Sequence, residues 1–77
     1  MALITELTRI SKDRQTVHGA VECGYSVFTG TDGERYLQLE TFGSKERKVS
    51  LKTSQVLQLN AQSAMELKRL IEETFLR

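Results

Sequence analysis

The sequence predicts an α+β fold, in which an antiparallel β-sheet of about four strands is followed by one C-terminal α-helix packed on one face of the sheet. Three observations lead to this prediction. Strand-forming residues flank Asp32-Gly33, a dipeptide typical of hairpin turns. A further β-rich stretch covers residues 49–60. Residues 61–75 then place apolar side chains at the three- and four-residue spacing of an amphipathic helix.

The N-terminal stretch 2–10, ALITELTRI, fits two kinds of secondary structure. Leu3 and Leu7 have helical spacing, whereas Thr5 and Thr8 are β-branched and favour a strand. We expect a strand here, because no convincing N-cap residue precedes the segment.

The central hairpin is predicted from residues 17–29 and 35–42, after a polar turn at 11–16. A two-residue type I′ turn at Asp32-Gly33 would pair Thr29 with Tyr36, and a shift of one residue would exchange the faces of one strand. In this register, the side chains that receive the helix are Phe28, Leu37 and Leu39. The opposite face carries three aromatic side chains among polar ones: Tyr25, Tyr36 and Phe42, with Gln38 and Glu40.

The C-terminal half continues with a charged turn at 44–48 and the strand at 49–60. Asn60 is a good N-cap residue for the helix, and Ser63 with Glu66 forms an alternative capping box. The apolar face of the helix is predicted from Ala64, Leu67, Leu70, Ile71 and Phe75.

The length of 77 residues predicts a single domain over 1–77, mainly β-sheet in 1–59 and helical in 60–76. A chain of this size buries only about 60% of the surface that it exposes when unfolded. The thin core and the uncovered face of the sheet both favour a homodimer.

The composition excludes several classes of protein. Eleven basic and ten acidic residues give a net charge of +1, so bulk charge does not indicate nucleic acid or membrane. The single cysteine, Cys23, fits a reducing cytoplasm. We expect no signal peptide, because the opening MALITELTRI lacks a basic n-region and reaches Thr5 and Glu6 before any long apolar stretch. We expect no membrane-spanning segment, because no apolar run approaches eighteen residues.

The sequence contains few residues from which a catalytic or cofactor site could be built. His18 and Cys23 lie five residues apart, so on one regular strand they point to opposite faces, and two ligands are too few for zinc. Gly19 and Gly24 have the spacing of a phosphate-binding loop, but Tyr25 stands where its lysine belongs. The sequence therefore predicts no enzyme, no cofactor and no metal site.

A binding surface is the remaining functional signal. Four basic residues follow the strand that carries Tyr36 and Phe42 within a short stretch: Lys45, Arg47, Lys48 and Lys52. A basic rim beside an aromatic sheet is what single-stranded nucleic acid binders need, since cations contact phosphates and rings stack on bases. The aromatic face also fits plain cross-strand packing or a dimer interface, and the basic run also fits a solvated turn.

The ending VLQLNAQSAMELKRLIEETF resembles the end of the transcriptional coactivator positive cofactor four and its bacterial relatives. A strand that closes on Leu59-Asn60 leads at once into a helix with Leu67-Lys68 and Ile71. The resemblance implies a curved antiparallel sheet, a C-terminal helix, dimerisation and single-stranded DNA binding on the sheet. Before its last strand the family has a lysine and a glycine, whereas KTSQ stands at that place in this chain. The chain also looks like a group of short bacterial proteins.

The function expected from these observations is binding of single-stranded nucleic acid, DNA ahead of RNA. The candidate residues are Tyr25, Arg35, Tyr36, Phe42, Lys45, Arg47, Lys48 and Lys52. The alternative is an accessory module that binds another protein through the exposed sheet face or an edge strand, with no role in nucleic acid binding.

Overall fold

The computed structural model describes residues 1–43 and 53–76, and within them it shows a four-stranded sheet followed by one helix. The α+β prediction, with its C-terminal helix, is therefore confirmed. The elements are β1 (Ala2–Ile4), β2 (Cys23–Thr29), β3 (Arg35–Phe42), β4 (Thr53–Leu59) and α1 (Ala61–Phe75).

The strands of the sheet lie in the order β1-β4-β3-β2. The pairs β2–β3 and β3–β4 are antiparallel, as expected. The edge pair β1–β4 is parallel, with Ala2 opposite Leu57 and Ile4 opposite Leu59, so the sheet is mixed. A parallel neighbour needs a long connection, and the residues between β1 and β4, including the whole hairpin, provide one.

The N-terminal strand is much shorter than predicted, because it ends at Ile4 and residues 5–22 form no regular secondary structure. Near its start, this segment is tied to the helix, because the Leu7 N–H donates to Glu66 Oε1 at 3.0 Å. The predicted strand over 17–29 begins only at Cys23. The Phe42 N–H donates to the Glu22 carbonyl at 2.9 Å, next to the point where β3 ends.

The hairpin loop is one residue longer than predicted, and the predicted register is wrong by one residue. Gly30 and Glu34 close the loop, with Gly30 N–H donating to the Glu34 carbonyl at 2.8 Å and Gly33 N–H to the Gly30 carbonyl at 3.0 Å. A type I′ turn needs positive φ at both central residues, but here only Gly33 has it, at 84°. The structure therefore has the three-residue loop in which a turn is followed by a left-handed glycine.

The new register exchanges side chains between the faces of the sheet. Phe28 pairs with Tyr36 and Val27 with Leu37. Phe28 therefore lies on the face opposite Leu37, and the prediction that it contacts the helix is wrong.

The helix begins at Ala61 because Asn60 caps it. Asn60 Oδ1 accepts from the Ser63 N–H at 2.9 Å, and Ser63 Oγ accepts from the Asn60 N–H at 3.1 Å. These reciprocal bonds form a capping box that satisfies two otherwise unpaired donors. The predicted N-cap is confirmed, and Ser63 supports it from inside the helix.

The core lies where the start of α1 meets β3 and β4, around Leu59, which is 3% exposed. A groove between the helix and the sheet is lined by Val27, Leu37, Leu59 and Ala64 among others. Ser63 is fully buried beside it. The second half of the helix leaves this core, so the helix covers only part of one face of the sheet.

Candidate nucleic-acid interface

One face of the sheet is not covered by the helix, and we call it the open face. Residues that pair across antiparallel strands share a face, and alternate residues along a strand return to it. The register therefore places eight large side chains on the open face: Leu3, Phe28, Tyr36, Gln38, Glu40, Phe42, Val56 and Gln58.

The open face carries a pair of stacked aromatic rings. Phe28 and Tyr36 lie directly opposite each other on β2 and β3. Their ring centroids are 5.4 Å apart and the ring planes differ by 25°. Phe28 keeps 38% of its surface exposed, although it lies within a strand. The two rings therefore pack against each other and form a partly exposed aromatic pair at the hairpin end of the open face.

Tyr36 is held in place by the hairpin loop. Its hydroxyl donates to Asp32 Oδ2 at 2.5 Å, while Asp32 Oδ1 accepts from the Glu34 N–H at 2.9 Å. The Tyr36 hydroxyl, followed by the Glu34 N–H, lowers the pKa of Asp32 because both stabilise the carboxylate. The same hydrogen bond raises the pKa of Tyr36. At neutral pH the loop thus presents an ionised carboxylate beside a neutral tyrosine.

Gly30 allows the Tyr36 ring to lie close to the loop. A Cβ at this position would stand 2.9 Å from Tyr36 Cε2 and 2.9 Å from Asp32 Oδ1. Both distances are shorter than real Cβ contacts, so any side chain here would displace the ring or the carboxylate. The packing of Tyr36 against the loop therefore requires glycine at position 30.

Polar side chains continue the open face beyond the rings. Gln58 Nε2 donates to Gln38 Oε1 at 2.8 Å, and Gln38 Nε2 donates to Glu40 Oε2 at 2.6 Å. The chain of hydrogen bonds crosses from β4 to β3 and fixes the orientation of both carboxamides. It presents ordered hydrogen-bonding groups next to the aromatic pair.

A third aromatic side chain lies at the far end of the open face. Phe42 covers Gly24 on the neighbouring strand, where a Cβ would meet the Phe42 ring at 3.0 Å. The pairing of Thr41 with Gln55 and of Phe42 with Thr53 marks a β-bulge between the two β3 residues. The open face thus has rings at both ends and polar side chains between them.

The structure brings together only some of the predicted site residues. Tyr36 and Phe42 share the open face, as expected. Tyr25 and Arg35 lie on the helix side of the sheet, because they pair with Leu39 and Thr29. The four basic residues of the predicted rim fall outside the described residues: Lys45, Arg47, Lys48 and Lys52.

Phe28 is the functional candidate that the sequence prediction assigned to the wrong face. The only signal that could have found it was the loop length, since a three-residue loop places Phe28 beside Tyr36. The sequence does contain the glycine that such a loop needs, at position 33.

Residues 1–43 and 53–76 contain no cluster of three or more His, Cys, Asp or Glu side chains that could hold a metal ion. No helix within these ranges is both long and apolar enough to cross a membrane.

Comparison with known proteins adds no further assignment: no family model, no curated protein and no solved structure matches this chain.

Proposed function

We propose that this chain is a non-enzymatic domain that binds single-stranded nucleic acid, DNA ahead of RNA, on the open face. The observation that carries the proposal is the exposed Phe28–Tyr36 stack, flanked by ordered carboxamides. Bases stack on such rings with little sequence preference, and each stacked base contributes about 1–3 kcal/mol.

The roles of individual residues follow from their positions. Phe28, Tyr36 and Phe42 stack on bases, and Gln38 and Gln58 offer hydrogen bonds to base edges. The phosphate contacts are assigned to the basic residues that follow β3 in the sequence: Lys45, Arg47, Lys48 and Lys52. Arg35 was expected among them, but it lies on the helix side of the sheet and is left out. The resemblance to positive cofactor four supports the same ligand.

The test is fluorescence anisotropy with a labelled oligonucleotide of thymidines at low salt. We expect a Kd in the micromolar range. The logarithm of the association constant should fall linearly with the logarithm of the salt concentration, with a slope of about 0.7 for each neutralised phosphate. Replacing Lys45, Arg47 and Lys48 together by Ala should flatten this dependence. Arg35→Ala removes a cation from the helix side of the sheet; it is the control and should leave the salt dependence unchanged. Binding that is absent at tens of micromolar protein would overturn the proposal.

We further propose that the domain acts as a homodimer, joined through the helix. Among the described apolar side chains only Leu59 is buried, while the helix exposes Ile71 and Phe75. A second copy would cover this apolar strip and leave the open face available.

The helix also suits contact with its own copy because its charges are mixed. Lys68 and Arg69 lie between Glu66 and the pair Glu72 and Glu73, so an antiparallel pair of helices would place opposite charges side by side. Sedimentation at tens of micromolar should give twice the mass of one chain, and a mass near 8.8 kDa would contradict the dimer.

One observation favours a second candidate function, a module that binds another protein. The outer edge of β2 is unpaired within the described residues, and the exposed Val27 and Tyr25 lie beside it. An extended peptide could add there as a further strand. Recovery of a stoichiometric protein partner that stays bound after nuclease treatment, together with no oligonucleotide binding, would favour this function.

For both candidate functions we place the protein in the cytoplasm, because Cys23 is an exposed free thiol.

A further inference from the structure

We infer that the open face contains a pocket that prefers guanine over the other bases, and we call it the base pocket. The inference rests on the proposed function and names the base that the site reads. The base pocket lies beside the aromatic pair, has a volume of about 300 Å³ and is lined by Leu3, Phe28, Gly30, Thr31, Asp32, Tyr36 and Gln58. This volume is at the lower end of the range for small-ligand sites, about 300–1,000 Å³.

The base pocket combines stacking surfaces with one charged acceptor. Phe28 and Tyr36 supply the rings, and Leu3 supplies an apolar wall. The Asp32 carboxylate is among the lining groups. The Tyr36 hydroxyl lowers the pKa of Asp32 further below its ordinary range, so the group is ionised at neutral pH. A base that stacks on the rings therefore brings its edge to a fixed carboxylate.

The Asp32 carboxylate retains acceptor capacity after its own contacts are counted. Each oxygen accepts one hydrogen bond, Oδ2 from the Tyr36 hydroxyl and Oδ1 from the Glu34 N–H. An ionised carboxylate offers about four acceptor positions, so one remains on each oxygen. The two existing bonds orient the group, which makes the remaining positions a preformed double acceptor.

Guanine is the base whose edge matches a double acceptor. Its N1–H and N2–H point in parallel, so both can donate to one carboxylate. Adenine and cytosine each present an amino donor next to a ring-nitrogen acceptor, and that acceptor would face a carboxylate oxygen. Thymine and uracil present one N–H between two carbonyl oxygens, which the carboxylate repels. The geometry thus favours guanine and penalises the other bases.

The Gln58 side chain also favours guanine over the other bases. Its Nε2 already donates to Gln38, which leaves a second N–H at the edge of the base pocket. Guanine O6 is an acceptor next to N1, and this N–H or the Thr31 hydroxyl can donate to it. The pocket therefore holds acceptors for the two guanine donors and a donor for its acceptor.

The experiment compares the unmodified protein on four short oligonucleotides. All are thymidine strands, with the central position occupied by guanine, hypoxanthine, adenine or thymine. We expect the guanine strand to bind about tenfold more tightly than the thymine strand, in line with a good two-bond contact to a base. Hypoxanthine lacks the N2 amino group, so its strand should lose most of this gain. Equal affinity for all four strands would overturn the guanine preference and leave the proposed function intact, whereas no binding to any strand would overturn both.

A variant connects the preference to Asp32. In Asp32→Asn one acceptor becomes a donor, and the ratio of guanine to thymine affinity should fall to about one. Glu34→Gln removes a carboxylate of the same loop outside the base pocket, and should keep the ratio. If circular dichroism shows that Asp32→Asn does not fold, the hypoxanthine strand still decides the question with the unmodified protein.

A final arm uses guanosine monophosphate as the probe. Displacement of the labelled strand only at millimolar nucleotide would support a pocket that reads a base within a strand. Micromolar binding of the free nucleotide, together with equal affinity for the four strands, would overturn that reading.

Discussion

Phe28 and Tyr36 face each other across two strands with ring centroids 5.4 Å apart, while Tyr25 lies on the other side of the same sheet. The two tyrosines differ in their support. Tyr36 is tied to Asp32 by its hydroxyl and is partly buried, whereas Tyr25 is 77% exposed. This difference gives the sharpest test of which face binds nucleic acid.

The first prediction compares Phe28→Leu with Tyr25→Leu. Phe28→Leu removes a stacking ring from the open face and should weaken oligonucleotide binding by about 1–3 kcal/mol, which is about 5-fold to 150-fold in Kd. Tyr25→Leu removes an aromatic ring of the same strand from the helix side, and should leave Kd within about twofold. Anisotropy titrations at one salt concentration measure both. A larger loss for Tyr25→Leu would show that the wrong face has been assigned.

The hairpin could be predicted from the sequence, but its register could not. Asp32-Gly33 correctly predicted a hairpin and its two strands, because the signal depends on local turn chemistry. The loop length was wrong, since Asp32 does not adopt the positive φ of a type I′ turn and its carboxylate instead caps the Glu34 N–H. One extra loop residue was enough to move Phe28 to the open face.

The second prediction concerns the close approach of Tyr36 to the loop backbone. Gly30→Ala places a Cβ 2.9 Å from the Tyr36 ring and should destabilise the fold by about 1–3 kcal/mol, because the ring must shift. It should also weaken oligonucleotide binding. Gly19→Ala is the matched control, because no atom lies within 4 Å of the added Cβ, and its Tm should not fall. Thermal unfolding of both variants measures the difference, and equal Tm values would contradict the close packing.

The third prediction follows from the hydrogen bond between Asp32 and Tyr36. In a Tyr25→Phe background Tyr36 is the only tyrosine, so its ionisation can be followed by ultraviolet absorbance. The pKa of Tyr36 should lie above the ordinary value of about 10, because the nearby carboxylate disfavours the phenolate. Adding Asp32→Asn should lower the pKa of Tyr36. An unchanged titration curve would mean that the hydrogen bond does not form in solution.

The same pair predicts how stability depends on pH. The pKa of Asp32 is lower in the folded chain, so its contribution is present above about pH 4 and is lost as the pH falls through the folded-state value. The pKa of Tyr36 is higher in the folded chain, so its contribution is present below about pH 10 and is lost as the pH rises through the folded-state value. Tyr36→Phe should abolish the alkaline effect and reduce the acid effect, since the Glu34 N–H still stabilises the Asp32 carboxylate. Unfolding midpoints from acid to alkaline pH measure both.

The helix was the easiest element to predict and its packing the hardest. The start after Asn60 followed from capping chemistry, and the structure shows both bonds of the box. The periodicity also identified Ile71 and Phe75 as apolar, but it could not say what covers them, because a pattern does not distinguish a partner chain from the same chain. The parallel β1–β4 pair was missed for a similar reason, since three residues carry too little pattern to indicate a neighbour.

The fourth prediction tests the helix as the dimer interface. Ile71 lies in the apolar strip and is 44% exposed in the single chain. Ile71→Glu would bury an unpaired charge in a dimer, so we expect sedimentation to show monomers at concentrations where the unmodified chain is dimeric. Gln62→Glu places the same charge on the opposite side of the helix, and should leave the mass unchanged.

Thermal unfolding provides an independent measure of the same interface. Because dimerisation stabilises the folded chain by mass action, the Tm of the unmodified protein should rise with protein concentration. The Tm of Ile71→Glu should be lower and should not depend on concentration. Leu59→Ala, in the buried contact between β4 and the helix, should cost about 2–5 kcal/mol at every concentration, since it removes core packing within each chain. A concentration-independent Tm for the unmodified protein, with Ile71→Glu equally stable, would show that the strip is not an interface between copies.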